Sequence, residues 1–470
     1  MTRKQFLKSL GAWSAAATLP AAQPDSQRPN FIFILCDDLG WGDLPSFGHR
    51  STTAHGGWIV RGELKTPHLD RMAREGTRFT QFYVASAVCS PSRAAFMTGL
   101  FPGRVGIHDY VANPELNRKR GVANHLDPEV PTLTALLKQH GYATAHFGKW
   151  HLGVPKLSPE PERYGVDRYA ACLDGPLGRP GSSGRIADEV IAFIDSNRDR
   201  PFFINAWLYD PHSPLHPTEE MMEPYRDLSP RWGDNKGAMQ VYYGVLTEMD
   251  RHIGRILDKL DQAGLSRNTV VLFASDNGPE SGLIPFTSHY AGVATSGPFR
   301  GIKRSLYEGG IRSPLIVRWP GKAPEGRVDD TTLMGGVDFL PTICRLAGVP
   351  PPANLDGEDL SDALRGKPRT KSKPLLWENR FPVYGHVLDM SPMLAIRSGR
   401  WKLLMNPDRS RVELFDIPKD PAEMDNLAAR NPKVVAELSS KLLEWQKTLP
   451  KGPVDPAAGS NHYPWPRSSR

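Results

Sequence analysis

Four stretches of the chain, residues 30–36 (NFIFILC), 142–147 (YATAHF), 202–209 (FFINAWLY) and 269–274 (TVVLFA), are dominated by apolar, β-branched and aromatic residues. The first has no polar position between Phe31 and Cys36, so it reads as a strand buried on both faces, the habit of parallel sheets. Amphipathic helices are expected at 66–75, opened by Thr66-Pro67 and stopped by Gly76, at 131–140, ended by Gly141, at 186–197 and at 238–263. Further strands are expected at 79–85 and 311–319, and a helix at 334–346. Buried strands separated by amphipathic helices predict an α/β fold with a large mixed, mostly parallel central sheet flanked by helices. Residues 350–373, rich in Pro, Gly and charge, read as a linker. Beyond it, short strands at 375–378, 394–405 and 412–417, a turn at Ser398-Gly399-Arg400 and a helix at about 433–448 form a smaller α+β unit.

The polar residues that follow the apolar runs carry the candidate chemistry. Asp37 and Asp38 close the first strand. Adjacent carboxylates repel unless a cation lies between them, and the carboxyl edge of an open α/β sheet is where ligands collect. A hard cation, Ca²⁺ or Mg²⁺, fits such oxygen donors; a solvated loop pair is the alternative. Lys149 and His151 alternate after the strand at 142–147, so both are expected on one face. His212 follows the strand at 202–209, and Ser275-Asp276-Asn277-Gly278 follows the one at 269–274. In Cys89-Ser90-Pro91-Ser92-Arg93, Pro91 suits a first helical turn and Ser90 an N-cap. Cys89 would then stand just outside a helix N-terminus, where the dipole and free N–H groups attract an anion, with Arg93 within one turn. The bland reading is a buried thiol at a helix start.

C-x-P-S-R followed by a small-residue helix and Thr98-Gly99 resembles the signature of the sulfatases, in the alkaline phosphatase-like superfamily. WGD at 41–43, TPHLDRMA at 66–73 and GKWHLG at 148–153 follow the same family pattern in order, closest to the arylsulfatase A and N-acetylgalactosamine-6-sulfatase type, and the likeness spans roughly residues 29 to 450. The resemblance implies that Cys89 is oxidised to Cα-formylglycine by a maturation enzyme, and that one Ca²⁺ is held by Asp37, Asp38, residue 89, Asp276 and Asn277. It implies that Arg93, Lys149 and Lys303 of FRGIK bind the sulfate, that His151 contacts formylglycine and that His212 contacts the sulfate. The hydrated aldehyde would attack sulfur with help from Asp276. His212, assisted by Lys303, would protonate the leaving oxygen, and His151 would deprotonate the second hydroxyl. The implied function is hydrolysis of an aryl or, as the preferred reading, a carbohydrate sulfate ester. A phosphonate monoester or phosphodiester hydrolase is the alternative, and a non-catalytic glycan-binding protein stands further off. His108, Asp109, Asn113, Trp232, His289 and Arg300 lie on expected loops near the strand ends and are candidates for a sugar subsite.

The formal charge of +7 suits an acidic substrate, while the scatter of Lys and Arg, with no basic tract among aromatics, excludes a nucleic-acid binder. No apolar run approaches the ~20 residues of a membrane helix. Residues 1–22, with Arg3, Lys4 and Lys8 ahead of a short apolar stretch, look like an export signal, twin-arginine-like or of the general secretory kind, and point to a periplasmic or extracellular protein. Of Cys36, Cys89, Cys172 and Cys344, conversion of Cys89 would leave an odd number, so disulfides do not frame this fold. The expected organisation is a signal at 1–22, a catalytic domain at 29–350, a C-terminal subdomain at 374–450 and an irregular tail at 451–470.

Overall fold

In the computed structural model, which describes residues 28–48, 64–172, 181–228, 237–280 and 289–462, strand β1 (Asn30–Cys36) is buried at every position. The expected export signal and Trp232 lie outside the described residues. Alternation along a strand sends successive side chains to opposite faces. Phe31, Phe33 and Leu35 enter one core, where Phe33 meets Phe96 at 5.0 Å and Phe339 at 4.8 Å between ring centroids. Ile32, Ile34 and Cys36 enter a second core with Leu69, Ile186, Leu246 and Ile253. Each of these large side chains contributes about 1.5–3 kcal/mol by leaving water, which is why the stretch tolerates no polar position.

Strands follow at β2 (Thr77–Phe79), β3 (Phe82–Tyr83), β4 (Ala143–Gly148), β5 (Arg168–Ala170), β6 (Phe202–Trp207), β7 (Thr269–Ser275), β8 (Leu315–Arg318), β9 (Arg327–Asp329) and β10 (Met334–Gly335). The main sheet has eight strands in the order β5-β4-β6-β1-β7-β8-β2-β9. β5, β4, β6, β1 and β7 run parallel; β8 is antiparallel to both β7 and β2. The mixed, mostly parallel sheet is thus as expected. Register places Cys36 beside Ser275, Leu35 beside Trp207 and Gly148 beside Trp207, so the carboxyl ends of four parallel strands form one row. Gly148, at φ 100°, is required there: a Cβ would stand 2.0 Å from the Trp207 carbonyl oxygen.

Several expected elements differ, among them the helix expected at 186–197, which begins at Ser182. The strand expected at 79–85 is two short strands, because Thr77–Phe79 bonds β8 and β9 whereas Phe82–Tyr83 bonds β10. The strand expected at 311–319 is confined to 315–318, since Glu308–Ile311 is a helical turn. The helix expected at 334–346 begins at Phe339 and ends at Ala347, after a short strand and a 3₁₀ turn. The stretch read as a linker contains the helical turn Ser361–Leu364.

A second sheet, antiparallel, has the order β11 (Leu375–Glu378), β12 (Leu394–Ser398), β13 (Trp401–Met405) and β14 (Glu413–Asp416), with helix Pro432–Thr448 packed on β12 and β13. It is fixed to the helical turn Glu308–Ile311 and to β3 by buried charge. Lys402 Nζ lies 3.0 Å from Glu308 and 2.9 Å from Glu423, with all three side chains fully buried. Tyr83 Oη donates to Glu308 at 2.6 Å and the Glu308 amide donates to Glu423 at 2.6 Å. Burial pushes both carboxyl groups up; Lys402 and Arg312 bring Glu308 down to about 2, while Glu423, beside that charge, rises to about 7. Removing one partner of a buried pair leaves uncompensated charge and typically costs about 3–5 kcal/mol. Lys402→Met is expected to destabilise the protein by that amount in urea unfolding; an unchanged midpoint would show that the cluster does not hold this junction together.

Candidate active site

Asp37 and Asp38 emerge from β1 at the row of strand ends, both fully enclosed. Asp38 sits at φ 68°, a backbone region that Asp tolerates better than most residues, and the turn aims the two carboxylates at different partners. Asp37 forms an ion pair with Lys149 Nζ and lies 3.8 Å from Arg93. Asp38 accepts from Lys303 Nζ at 2.6 Å and from Asn277 Nδ2 at 2.7 Å. Asp276 accepts from Arg93 Nε at 2.9 Å and lies 2.7 Å from its Nη2. Arg93 also donates to the Lys149 carbonyl at 2.7 Å and lies 5.2 Å from the Trp207 ring centre. Elements far apart in the chain therefore meet within one charged cluster, and Arg93 binds two of them directly.

Cys89 is the first residue of helix Cys89–Thr98, not a residue outside it, and Val88 precedes the helix without a side-chain cap. Ser90, expected as the cap, instead accepts from the Val111 amide at 3.0 Å. The Cys89 sulfur and carboxylate oxygens of Asp37 and Asp276 lie within 4.8 Å of one another; so do atoms of Asp37, Asp38 and His212. Burial pushes the Cys89 thiol up to about 12 although Lys149 and Lys303 pull it down, so this sulfur is a thiol near neutrality, not a thiolate nucleophile.

His151 does not continue β4; it takes a left-handed backbone, φ 54°, beyond the strand end. Its Nε2 lies 3.0 Å from the Val111 carbonyl. A carbonyl only accepts, so Nε2 carries the hydrogen and the buried Nδ1, without a hydrogen-bond partner among the described residues, keeps a lone pair. His212 Nδ1 donates likewise to the Ser213 carbonyl at 2.6 Å, and its Nε2 is 3.7 Å from Asp38. Burial and then Lys303 push His212 down to about 4; burial, Lys149 and Arg93 push His151 well down too. Both rings are therefore neutral at pH 7. Lys303, although burial opposes its charge, is held strongly protonated by Asp38.

The donors suit a hard divalent cation. The Oδ1 atoms of Asp37 and Asn277 are buried with no hydrogen-bond partner among the described residues, a costly state for an acceptor unless an ion or donor meets it. Glu280, not anticipated from the sequence, pairs with Arg304 at 2.7 Å and Lys303 at 3.6 Å. Asp37, Asp38, Asp276 and Glu280 thus balance Arg93, Lys149, Lys303 and Arg304. Burial and then the neighbouring Asp37 push Asp276 up to about 7, against the pull of Arg93 and Lys149.

The candidate subsite residues lie outside the charged cluster, Asp109 in the wall of a cleft beside it. Asn113 caps helix Pro114–Arg120, accepting from the Leu116 amide. Arg300 donates to the Leu388 and Glu423 carbonyls and lies 3.7 Å from the Tyr307 ring centre, which ties it to the C-terminal unit. His108 Nε2 is 3.0 Å from the Arg120 carbonyl and its ring stacks on Phe381 at 6.3 Å. Asp109 pairs with Arg120 at 2.7 Å. His289 begins a 3₁₀ turn, and its side chain is outside the described residues.

A family profile described as Sulfatase matches residues 29–349, and one described as N-sulphoglucosamine sulphohydrolase, C-terminal, matches residues 300–448. The chain is 32% identical to arylsulfatase A of Homo sapiens, over 90% of this chain and 83% of that one. It is 33% identical to N-acetylgalactosamine-6-sulfatase of Canis lupus familiaris, with 93% and 89% covered, and 29% identical to N-acetylgalactosamine-6-O-sulfatase of Bacteroides thetaiotaomicron, with 90% and 94% covered. Among solved structures, Ps i-CgsB in complex with k-i-k-neocarrahexaose superposes with a TM-score of 0.74 at 25% identity, covering 93% of this chain and 97% of that one.

A thiol pushed up to about 12 is ionised to only about one part in ten thousand at pH 8. In unconverted protein, Cys89 is expected to resist iodoacetamide at pH 8 until the fold is lost, after partly exposed Cys172 has reacted. Peptide mapping that found Cys89 alkylated first would contradict this burial.

Proposed function

The chain belongs to the sulfatase family and is a sulfuric ester hydrolase; from that premise we propose that it releases sulfate from a carbohydrate ester, through a centre built on residue 89. The carrying observation is the convergence of Cys89, Asp37, Asp276, Arg93, Lys149 and Lys303 at the strand ends. The relatives named for N-acetylgalactosamine sulfates, and the neocarrahexaose complex of Ps i-CgsB, favour a sugar over a simple aryl group.

The residues fit a calcium ion held by Asp37, Asp38, Asp276 and Asn277, which would supply positive charge against the sulfate oxygens. Conversion of Cys89 to formylglycine by a maturation enzyme would supply, as the hydrated aldehyde, an oxygen nucleophile that the protonated thiol does not provide. Everything else is the work of side chains already in place. Arg93 holds Asp276 with two N–H groups and fixes the Lys149 backbone, so the carboxylate and the cation share one frame. Lys149 and Lys303 offer ammonium groups to a sulfate that enters between them, and in a dry site such charges act at close to full strength. His151, with a lone pair at Nδ1, would accept the proton of the second hydroxyl at residue 89. On the Asp38 side, His212 and the Lys303 ammonium, which both lie against Asp38, would together supply the proton to the leaving oxygen.

We read residues 29–350 as the catalytic domain, 374–450 as a C-terminal subdomain and 1–22 as an export signal, so that the mature enzyme works outside the cytoplasm. No helix among the described residues is long and apolar enough to cross a membrane.

Peptide mass analysis of protein made alongside a formylglycine-generating enzyme is expected to find an aldehyde at position 89. Cys89→Ala is expected to lower sulfate release by about a thousandfold or more while the unfolding midpoint stays near that of the parent; normal turnover by this variant would sink the assignment. Ca²⁺ is expected to raise the melting temperature of chelator-treated protein, and Asp38→Asn to remove most of that rise; equal shifts in both proteins would move the ion elsewhere. Lys303→Met is expected to reduce kcat/KM by about a hundredfold or more, through loss of charge stabilisation.

A further inference from the structure

Next to the charged cluster lies a cleft of about 610 Å³ whose inner wall includes Val88 and Arg304, the neighbours of Cys89 and Lys303. It is joined to the site by backbone: the Arg304 amide donates to the Ala87 carbonyl at 2.8 Å, and the Arg304 carbonyl accepts from Asn379 at 2.8 Å. One wall comes from the segment ending in helix Pro114–Arg120, the other from the loop after β11 and the chain near Asp455. The space falls within the ~300–1,000 Å³ of small-ligand sites and is larger than one sugar ring with its sulfate.

The lining is mixed in a particular way. Tyr110, Phe381 and Tyr384 supply aromatic faces, and Tyr384 is 52% exposed. The Arg120 guanidinium lies 3.9 Å from the Tyr110 ring centre, and that of Arg304 lies 5.7 Å from the Tyr384 ring centre. Arg120 and Arg304 each give one nitrogen to a carboxylate, Asp109 and Glu280, and a guanidinium has more donors than one such bond uses. Asp455 adds an acceptor at the outer end. A lone exposed tyrosine needs no explanation. An exposed ring beside an arginine, in a cleft walled by the chain neighbours of Cys89 and Lys303, matches a sugar: an apolar C–H face for the ring, and hydroxyl or acidic groups for the arginine. A steroid or simple aryl group would leave the Asp109, Asp455 and Arg304 polar atoms facing apolar surface, at a cost.

We propose that this cleft seats the sugar adjoining the one that carries the scissile sulfate, with Tyr384 as its stacking platform, so that the substrate is an oligosaccharide of at least two sugar units. This rests on the sulfatase reading above and extends it to substrate length. The test uses full-length converted protein with 4-nitrophenyl sulfate, sulfated monosaccharides and the matching sulfated disaccharides from glycosaminoglycans and algal galactans. The parent is expected to prefer a disaccharide to its monosaccharide by about tenfold or more in kcat/KM. Tyr384→Ala is expected to lower the disaccharide-to-aryl ratio by about tenfold, while Tyr384→Phe, which keeps the ring face, holds it within about twofold. A ratio unmoved by Tyr384→Ala, an equal loss in Tyr384→Phe, or a parent indifferent to the second sugar would each overturn the subsite while turnover of the aryl ester left the sulfatase reading standing. Absence of turnover on every ester would overturn both.

Discussion

Two carboxylates side by side at the end of a fully buried strand are the constraint on which the site is built. Asp37 and Asp38 have no access to water, so their charge has to be met by the protein or by what it binds. Lys149, Lys303, Arg93 and the Asn277 amide approach them from separate parts of the chain. Each of these groups would be expensive to bury alone, and each becomes tolerable only in the presence of the others. The cluster is therefore all-or-none in character, and the Oδ1 atoms of Asp37 and Asn277, without a partner among the described residues, are of the kind that a cation satisfies.

The same logic recurs at the junction with the C-terminal sheet. Lys402 is buried between Glu308 and Glu423, and Glu308 begins the turn that follows the Lys303 loop. Gly301 donates its amide to Asp389, and Arg300 donates to Leu388 and Glu423, so the loop is braced from the C-terminal side. The second sheet bears none of the charged cluster at the strand ends, yet it fixes the loop that delivers one of the ammonium groups. It also supplies the Tyr384 wall of the adjoining cleft.

The two histidines show how position sets the surroundings of one side-chain type. Both donate one ring hydrogen to a backbone carbonyl, and both are held neutral by burial and nearby ammonium groups. They differ in what the second nitrogen faces: that of His151 is an enclosed lone pair, and that of His212 lies near Asp38 and Lys303. The same side chain thus meets two different settings at one strand edge.

Local chemistry alone determined much of this. The unbroken apolar run at 30–36, the acidic pair after it and the helix start at Cys89 are visible in sequence because burial on both faces, charge repulsion and first-turn proline are properties of neighbouring residues. The resemblance in C-x-P-S-R, GKWHLG and FRGIK pointed to Arg93, Lys149, His151 and Lys303 for the same reason: each motif is contiguous. What the chain could not disclose depends on residues far apart. Ser90 serves Val111 instead of a cap, Arg300 braces the C-terminal unit, the strand expected at 79–85 splits between two sets of partners, and Glu280 completes the charge balance. Hydrogen-bond partners and charge partners are chosen by the fold across hundreds of residues, and only the packed structure brings Tyr384 to a cleft beside Cys89.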